Sequence, residues 1–142
     1  MRRHSAKICG NLKDVIEFLL ISGADPDLQL TDKIKAIKGV KLLDVDMGYD
    51  TNRTVVTFAG NPEKVLEAAF NAIKKASEVI DMRVHKGAHL RMGATDVCPI
   101  VPVSNITMKE CVELSKKLAQ KVGQELNIPI FLYEKSASNS QR

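Results

Sequence analysis

The hydrophobic period changes from two to 3.6 between residues 40 and 80, and this change constrains the fold more than any other feature of the chain. Residues 40–46 follow Gly39 and are rich in Val and Leu, and residues 53–59 (R-T-V-V-T-F-A) are β-branched and end at Gly60. The intervening M-G-Y-D-T-N carries the turn formers Gly48, Asp50 and Asn52. Two strands close enough for antiparallel pairing are therefore predicted. Apolar residues then recur at Val65, Ala69, Ile73, Ala76 and Ile80, one stripe of a helix. Asn61 suits its N-cap and Pro62 its first turn. Glu63, Glu67, Lys74 and Glu78 fall on the opposite face. A helix patterned this way has to bury its stripe against the strands before it.

The second half repeats the logic less regularly. Residues 97–103 read as a strand broken by Pro99 and Pro102, hence an edge or irregular strand. Thr107 to Glu110 form a capping box ahead of a helix with Cys111, Leu114, Leu118, Val122 and Leu126 on its buried stripe. Asn127 and Pro129 end it, and residues 130–133 (I-F-L-Y) read as a last short strand. The order β-β-α-(β)-β-α-β predicts an α+β two-layer sandwich, with helices packed on one face of a mixed, mostly antiparallel sheet. Residues 1–33 look different from the rest, residues 34–135 form the main domain, and residues 136–142 are a polar tail.

A chain of 142 residues suits one domain. Its net charge of +4 fits an anionic ligand, and fits equally a solvated basic surface. Spread-out lysines, with four Phe and two Tyr to stack on bases, argue against a nucleic-acid partner. No apolar run approaches the roughly 18 residues of a membrane span. The basic start is not followed by a signal-peptide core. Cys9, Cys98 and Cys111 are an odd set without C-x-x-C spacing, which predicts reduced thiols in a cytoplasmic protein and neither a zinc site nor a disulfide framework.

Residues 80–96 are the most polar and loop-like stretch of the main domain, where chemistry is best placed. Here H-K-G-A-H-L-R-M-G (85–93) gathers two imidazoles, two cations and two glycines. Histidine can take and return a proton near neutrality. Glycine lets a ligand approach the backbone, and Lys86 and Arg91 suit carboxylates. The four-residue spacing of His85 and His89 would also fit a metal pair on a helix, but Gly87 intervenes and no Glu follows His85. A polar surface loop without a role remains the plain alternative. A second cluster is D-V-D (44–46) with T-N-R-T (51–54). Asp44 and Asp46, two apart in a strand, share a face, and Asp46 can orient a histidine, a water or a cationic group. Turn formation is the alternative reading of that cluster.

The stretches L-L-D-V-D-M-G-Y-D-T-N-R-T-V-V-T-F-A-G, I-D-M-R-V-H-K-G-A-H-L-R-M-G-A-T-D-V-C-P-I-V-P-V and I-P-I-F-L-Y-E resemble, in order, the amino-terminal subdomain of the formiminotransferase family. They cover roughly residues 38–137. The resemblance implies a transferase that moves a formimino group from N-formimino-L-glutamate to tetrahydrofolate, in histidine degradation and one-carbon metabolism. It implies no metal. His89 matches the family's acid/base, which takes a proton from the folate nitrogen as that nitrogen attacks the formimino carbon. Asp46 matches a second catalytic acid, and Asn52, Arg53, Lys86, Arg91 and Gly93 would line the folate and glutamate sites. Self-association into a homodimer, or a complementary carboxy-terminal subdomain, is also implied.

The chain departs from the pattern at three points. Leu90 stands where the family's H-P-R-M-G has Pro. A P-N-F-S-E-G-R loop is missing near the start, and so is the second subdomain that completes the cleft. These departures support a second reading, a non-catalytic folate- or protein-binding module. Residues 9–30 instead resemble the second helix and turn of one ankyrin repeat. They predict a helix packed through Leu12, Val15, Ile16, Leu19 and Leu20.

Overall fold

A computed structural model describes residues 13–23, 30–84, 86–87 and 93–137. The first element, β1 (Asp14–Ile21), is a strand and not the predicted helix. Its apolar run satisfies both periods, and the sheet decides between them. Val15, Glu17, Leu19 and Ile21 are buried, while Asp14, Ile16, Phe18 and Leu20 are half-buried on the other face. A helix would have put Val15, Ile16, Leu19 and Leu20 on one stripe, and a strand divides them between two faces. Burying both sides of such a run requires a central strand. β1 is central: it pairs antiparallel with β3 (Arg53–Gly60) on one side and with β4 (Thr95–Val97) and β5 (Ile100–Ser104) on the other. Residues 14–21 of the segment read as an ankyrin-like helix thus form the middle of the sheet.

The hairpin is as expected: β2 (Val40–Gly48) pairs antiparallel with β3, with a bulge between Leu42 and Asp44. The strand order is β2-β3-β1-β4, with β5 also on β1. The broken strand read at 97–103 is two short strands interrupted at Cys98 and Pro99, and Pro102 sits in β5 at the sheet margin. Proline tolerates that place because the ladder continues on one side only.

The helices are α1 (Leu30–Lys35), α2 (Pro62–Val79) and α3 (Met108–Glu125). α2 is capped as its sequence predicts, the Asn61 side chain accepting from Glu63 N at 3.0 Å. Thr107 accepts from Glu110 N at 3.1 Å at the start of α3. Val65, Ala69, Ile73 and Ala76 of α2 pack with Cys111, Leu118 and Val122 of α3 over Val15, Leu19, Ile21, Val56 and Phe58 of the sheet. This core fills one layer boundary, which confirms the α+β two-layer arrangement. The opposite sheet face carries no helix among the described residues.

The predicted last strand at 130–133 is not one. Its residues are irregular and lead into a 3-10 turn, Glu134–Ser136. Pro129, just before them, has no N–H to donate to a ladder. Ile130, Phe131 and Tyr133 are exposed.

Candidate functional site

Five of the residues singled out by sequence, Asp46, Asn52, Arg53, Lys86 and Gly93, lie at one corner of the sheet. The register explains this. In β3, Thr54, Val56 and Phe58 are buried toward the helices, so Arg53, Val55 and Thr57 point the other way. Asp44 lies opposite Thr57, and Asp46 opposite Val55. Asp44 and Asp46 therefore share the face that carries Arg53, as two-residue spacing in a strand requires. Asp46 is exposed.

The turn between β2 and β3 is held tightly. Asn52 adopts the left-handed region (φ 51°), which asparagine tolerates, and its N–H donates to Tyr49 O at 3.1 Å. Thr51 Oγ1 donates to Gly48 O at 3.2 Å. The Asn52 side-chain amide donates to Lys86 O at 2.8 Å and ties the turn to the start of the polar loop. At the loop's far end, Ser22 Oγ donates to Gly93 O at 2.7 Å and Ser22 N to Ala94 O at 2.8 Å. Thr54 Oγ1 donates to Gly23 O at 2.5 Å in the buried layer beneath. The ends of β1, β3 and β4 are thus knotted together, and both ends of the polar loop are anchored to them.

Arg53 and Asp96 bridge this knot. Arg53 Nη2 lies 3.1 Å from Asp96 Oδ2, with side-chain exposures of 18% and 10%. The pair reaches from β3 to β4 past the end of β1. Sequence reading missed Asp96 as a site residue. The signal available to it was an acid next to a β-branched strand start, just beyond a glycine-rich loop. Of the seven residues assigned roles by resemblance, Asp46, Asn52, Arg53, Lys86 and Gly93 come together here. His89 and Arg91, together with His85 and Leu90, lie outside the described residues, as do Cys9, Leu12 and residues 138–142.

The other sheet face has a different character. Glu17 is fully buried on β1 and accepts a hydrogen bond from the Cys98 thiol at its Oε1. Its Oε2 has no hydrogen-bond partner among the described residues. Burial holds the Glu17 carboxyl well above the usual range, against a smaller opposite pull from the thiol bond. Burial, and then the nearby Glu17, push the Cys98 thiol well up as well. A cavity of about 730 Å³ lies beside this pair, between α2, α3 and residues 128–136, lined by Ile73, Ile100, Leu118 and Val122 among others. Its wall is predominantly apolar, whereas Asp46 and Arg53 lie on the far side of the sheet. Among the described residues no group of three or more His, Cys, Asp or Glu could hold a metal ion. No helix among them is long and apolar enough to cross a membrane.

The profile of the formiminotransferase domain, N-terminal subdomain, matches residues 28–142. The chain belongs to the formiminotransferase family. It is 54% identical over 108 residues to the glutamate formimidoyltransferase of Streptococcus pyogenes serotype M1, covering 76% of this chain and 36% of the relative. Against the glutamate formimidoyltransferase of Thermoplasma acidophilum it is 44% identical over 114 residues, 80% of the chain and 38% of the relative. The formimidoyltransferase-cyclodeaminase of Rattus norvegicus is 50% identical over 113 residues, 80% of the chain and 21% of the relative. The chain spans little more than a third of the length of the formimidoyltransferases and about a fifth of the formimidoyltransferase-cyclodeaminases. The family match begins at residue 28, so β1 precedes it, yet β1 is the strand on which the matched hairpin is assembled.

Proposed function

We propose that this chain supplies the amino-terminal half of a formimidoyl-transfer site, open on the helix-free face of its sheet. The donor is N-formimino-L-glutamate and the acceptor is tetrahydrofolate, as a step of histidine degradation and one-carbon metabolism in the cytoplasm. The observation that carries this reading is the convergence of Asp46, Asn52, Arg53, Lys86 and Gly93 at one corner, where both ends of the loop bearing His89 are anchored.

His89 takes the proton from the folate nitrogen as that nitrogen attacks the formimino carbon. It returns the proton to the glutamate nitrogen as the old carbon–nitrogen bond breaks. Asp46 holds the reacting groups in line. Arg53, Lys86 and Arg91 bind carboxylates of the donor or of the folate tail, with Asn52 and Gly93 shaping the backbone around them. Amine attack on an amidine-like carbon needs alignment and a base of near-neutral pKa more than covalent help. A complementary carboxy-terminal subdomain, or a second copy of this chain, closes the cleft from the other side.

The test is formimino transfer, followed by absorbance of the folate product. Wild-type chain and His89→Ala are assayed alone and with an added carboxy-terminal subdomain. Turnover that falls by at least about 100-fold in the variant supports the reading, the usual size of an acid/base contribution. Folate binding without turnover in any combination favours a non-catalytic binding module instead.

A further inference from the structure

We infer that Asp96 is a positioning residue, which aims the Arg53 guanidinium at a glutamate-type dicarboxylate on the open sheet face. This inference rests on the proposed transfer site and gives a role to a residue to which neither the sequence motif nor the family resemblance assigns one.

Arg53 and Asp96 stand 43 positions apart and on strands separated by β1, so their contact is a product of the tertiary fold. Both side chains are mostly enclosed, yet 18% of Arg53 remains exposed, enough for an anion to reach it. Arg53 shares its face with Asp46 and follows Asn52, which holds the polar loop at Lys86. A guanidinium presents its donors in a rigid fork, so one edge held by a carboxylate fixes the direction of the others. Gly93 and Ala94, three and two residues before Asp96, are fastened to Ser22. Asp96 is therefore seated on an immobilised stretch of chain, as a positioning group must be.

A bystander charge and a positioning residue make opposite predictions for the neutral variant Asp96→Asn. Asp96 is itself an anion beside the site. If its charge were its only influence, removing it would tighten dicarboxylate binding by roughly threefold, the scale of one unit charge some 6 Å away in a wet site. If it aims Arg53, its loss removes the carboxylate that fixes the direction of the fork, and affinity falls by about tenfold. The ordering effect is the larger, so weakening is expected.

The same dicarboxylate occurs in N-formimino-L-glutamate and in the glutamate tail of tetrahydrofolate. The experiment separates the two. The full chain, Asp96→Asn, Asp96→Glu and Arg53→Gln are titrated by calorimetry with N-formimino-L-glutamate, with tetrahydrofolate, and with tetrahydropteroate, which lacks the tail. Glutarate serves as a plain dicarboxylate probe. Expected are about tenfold weaker binding in Asp96→Asn, partial rescue in Asp96→Glu, and abolished glutarate binding in Arg53→Gln. Sensitivity of tetrahydrofolate but not of tetrahydropteroate assigns the folate tail, and sensitivity of the formimino donor assigns that substrate. Unchanged or tighter binding in Asp96→Asn overturns the inference, and so does a wild-type chain that binds no dicarboxylate. Should Asp96→Asn fail to fold, Asp96→Glu decides alone: binding equal to wild type overturns the inference, and a loss of about threefold supports it. Absence of turnover with the Asp96 effect intact would count against the transfer reaction and leave this assignment standing.

Discussion

The two faces of the sheet treat a carboxyl group in opposite ways. On the helix side, Glu17 sits fully buried with a thiol for company, and burial raises its pKa well above the ordinary range. At the strand ends, by contrast, Asp96 has an arginine 3.1 Å away, and Asp46 is exposed on the open side at the same corner. One face excludes charge and carries the core. The other gathers both signs of charge where three strand ends meet. The difference teaches that stability and function are divided between the faces of one thin sheet. Substitutions should therefore divide in the same way.

The largest expected effect is on the helix face. Phe58 is fully buried in β3 under α2. Phe58→Ala should cost about 3–5 kcal/mol in urea unfolding, because the cavity collapses only in part. A loss under about 1 kcal/mol would mean that the helices do not hold this face closed.

Next comes the Glu17 carboxyl, through pH. Its folded pKa is raised, so above the unfolded value of about 4.3 the folded chain keeps a proton that the unfolded chain has lost. The associated stability is fully present below that value. It is lost as pH rises toward the folded pKa, by up to about 1.4 kcal/mol per pH unit. Glu17→Gln keeps a neutral group and removes the proton. Unfolding measured from pH 5 to pH 8 should slope downward in the wild type and lie flatter in the variant, with Glu17→Gln the more stable at pH 8. Parallel slopes would show that Glu17 is ionised in the fold and that the helix face tolerates charge after all. Cys98 adds the same sign of dependence only above its ordinary range near pH 8.5, since its pKa is raised too.

Much of this division was legible in the sequence, and the reasons are specific. The hairpin at 40–59 and the caps at Asn61 and Thr107 are local signals, set by residues within a turn of one another, and they appear as read. The pairing of Asp44 with Asp46 on one face follows from the strand period alone. β1 was misread because V-I-E-F-L-L-I is apolar at both periods, and only pairing on both edges distinguishes a central strand from a helix. Glu17 in its middle is buried although charged, which no period in the sequence signals. The last strand was misread from its composition: I-F-L-Y has strand propensity, but β-propensity is a fit to a partner and the segment is irregular. Asp96 was missed because its meaning depends on an arginine 43 residues away. The role of His89 rests on motif and resemblance, while Asn52, Arg53 and Lys86 are gathered by the fold.

The smallest effect provides the cleanest comparison, because it uses one substitution on both faces. Val56 in β3 is 1% exposed toward the helices, and Val101 in β5 is 40% exposed on the open side. Val101 lies opposite Ile16, whose side chain points away from the helices. Valine to threonine hardly changes shape but adds a hydroxyl. At Val56 that hydroxyl enters the core and should cost about 1–3 kcal/mol unless it finds a backbone acceptor. At Val101 water can solvate it, so the change should stay within about 0.5 kcal/mol. If an added carboxy-terminal subdomain, or a second copy of the chain, covers the open face, the Val101→Thr penalty should grow toward the Val56 value in that complex. Unfolding of both variants, alone and with the added subdomain, measures the shift. A Val101 penalty that stays near zero in a stable complex would place the partner elsewhere than on this face. The cleft would then have to be closed from the strand ends alone.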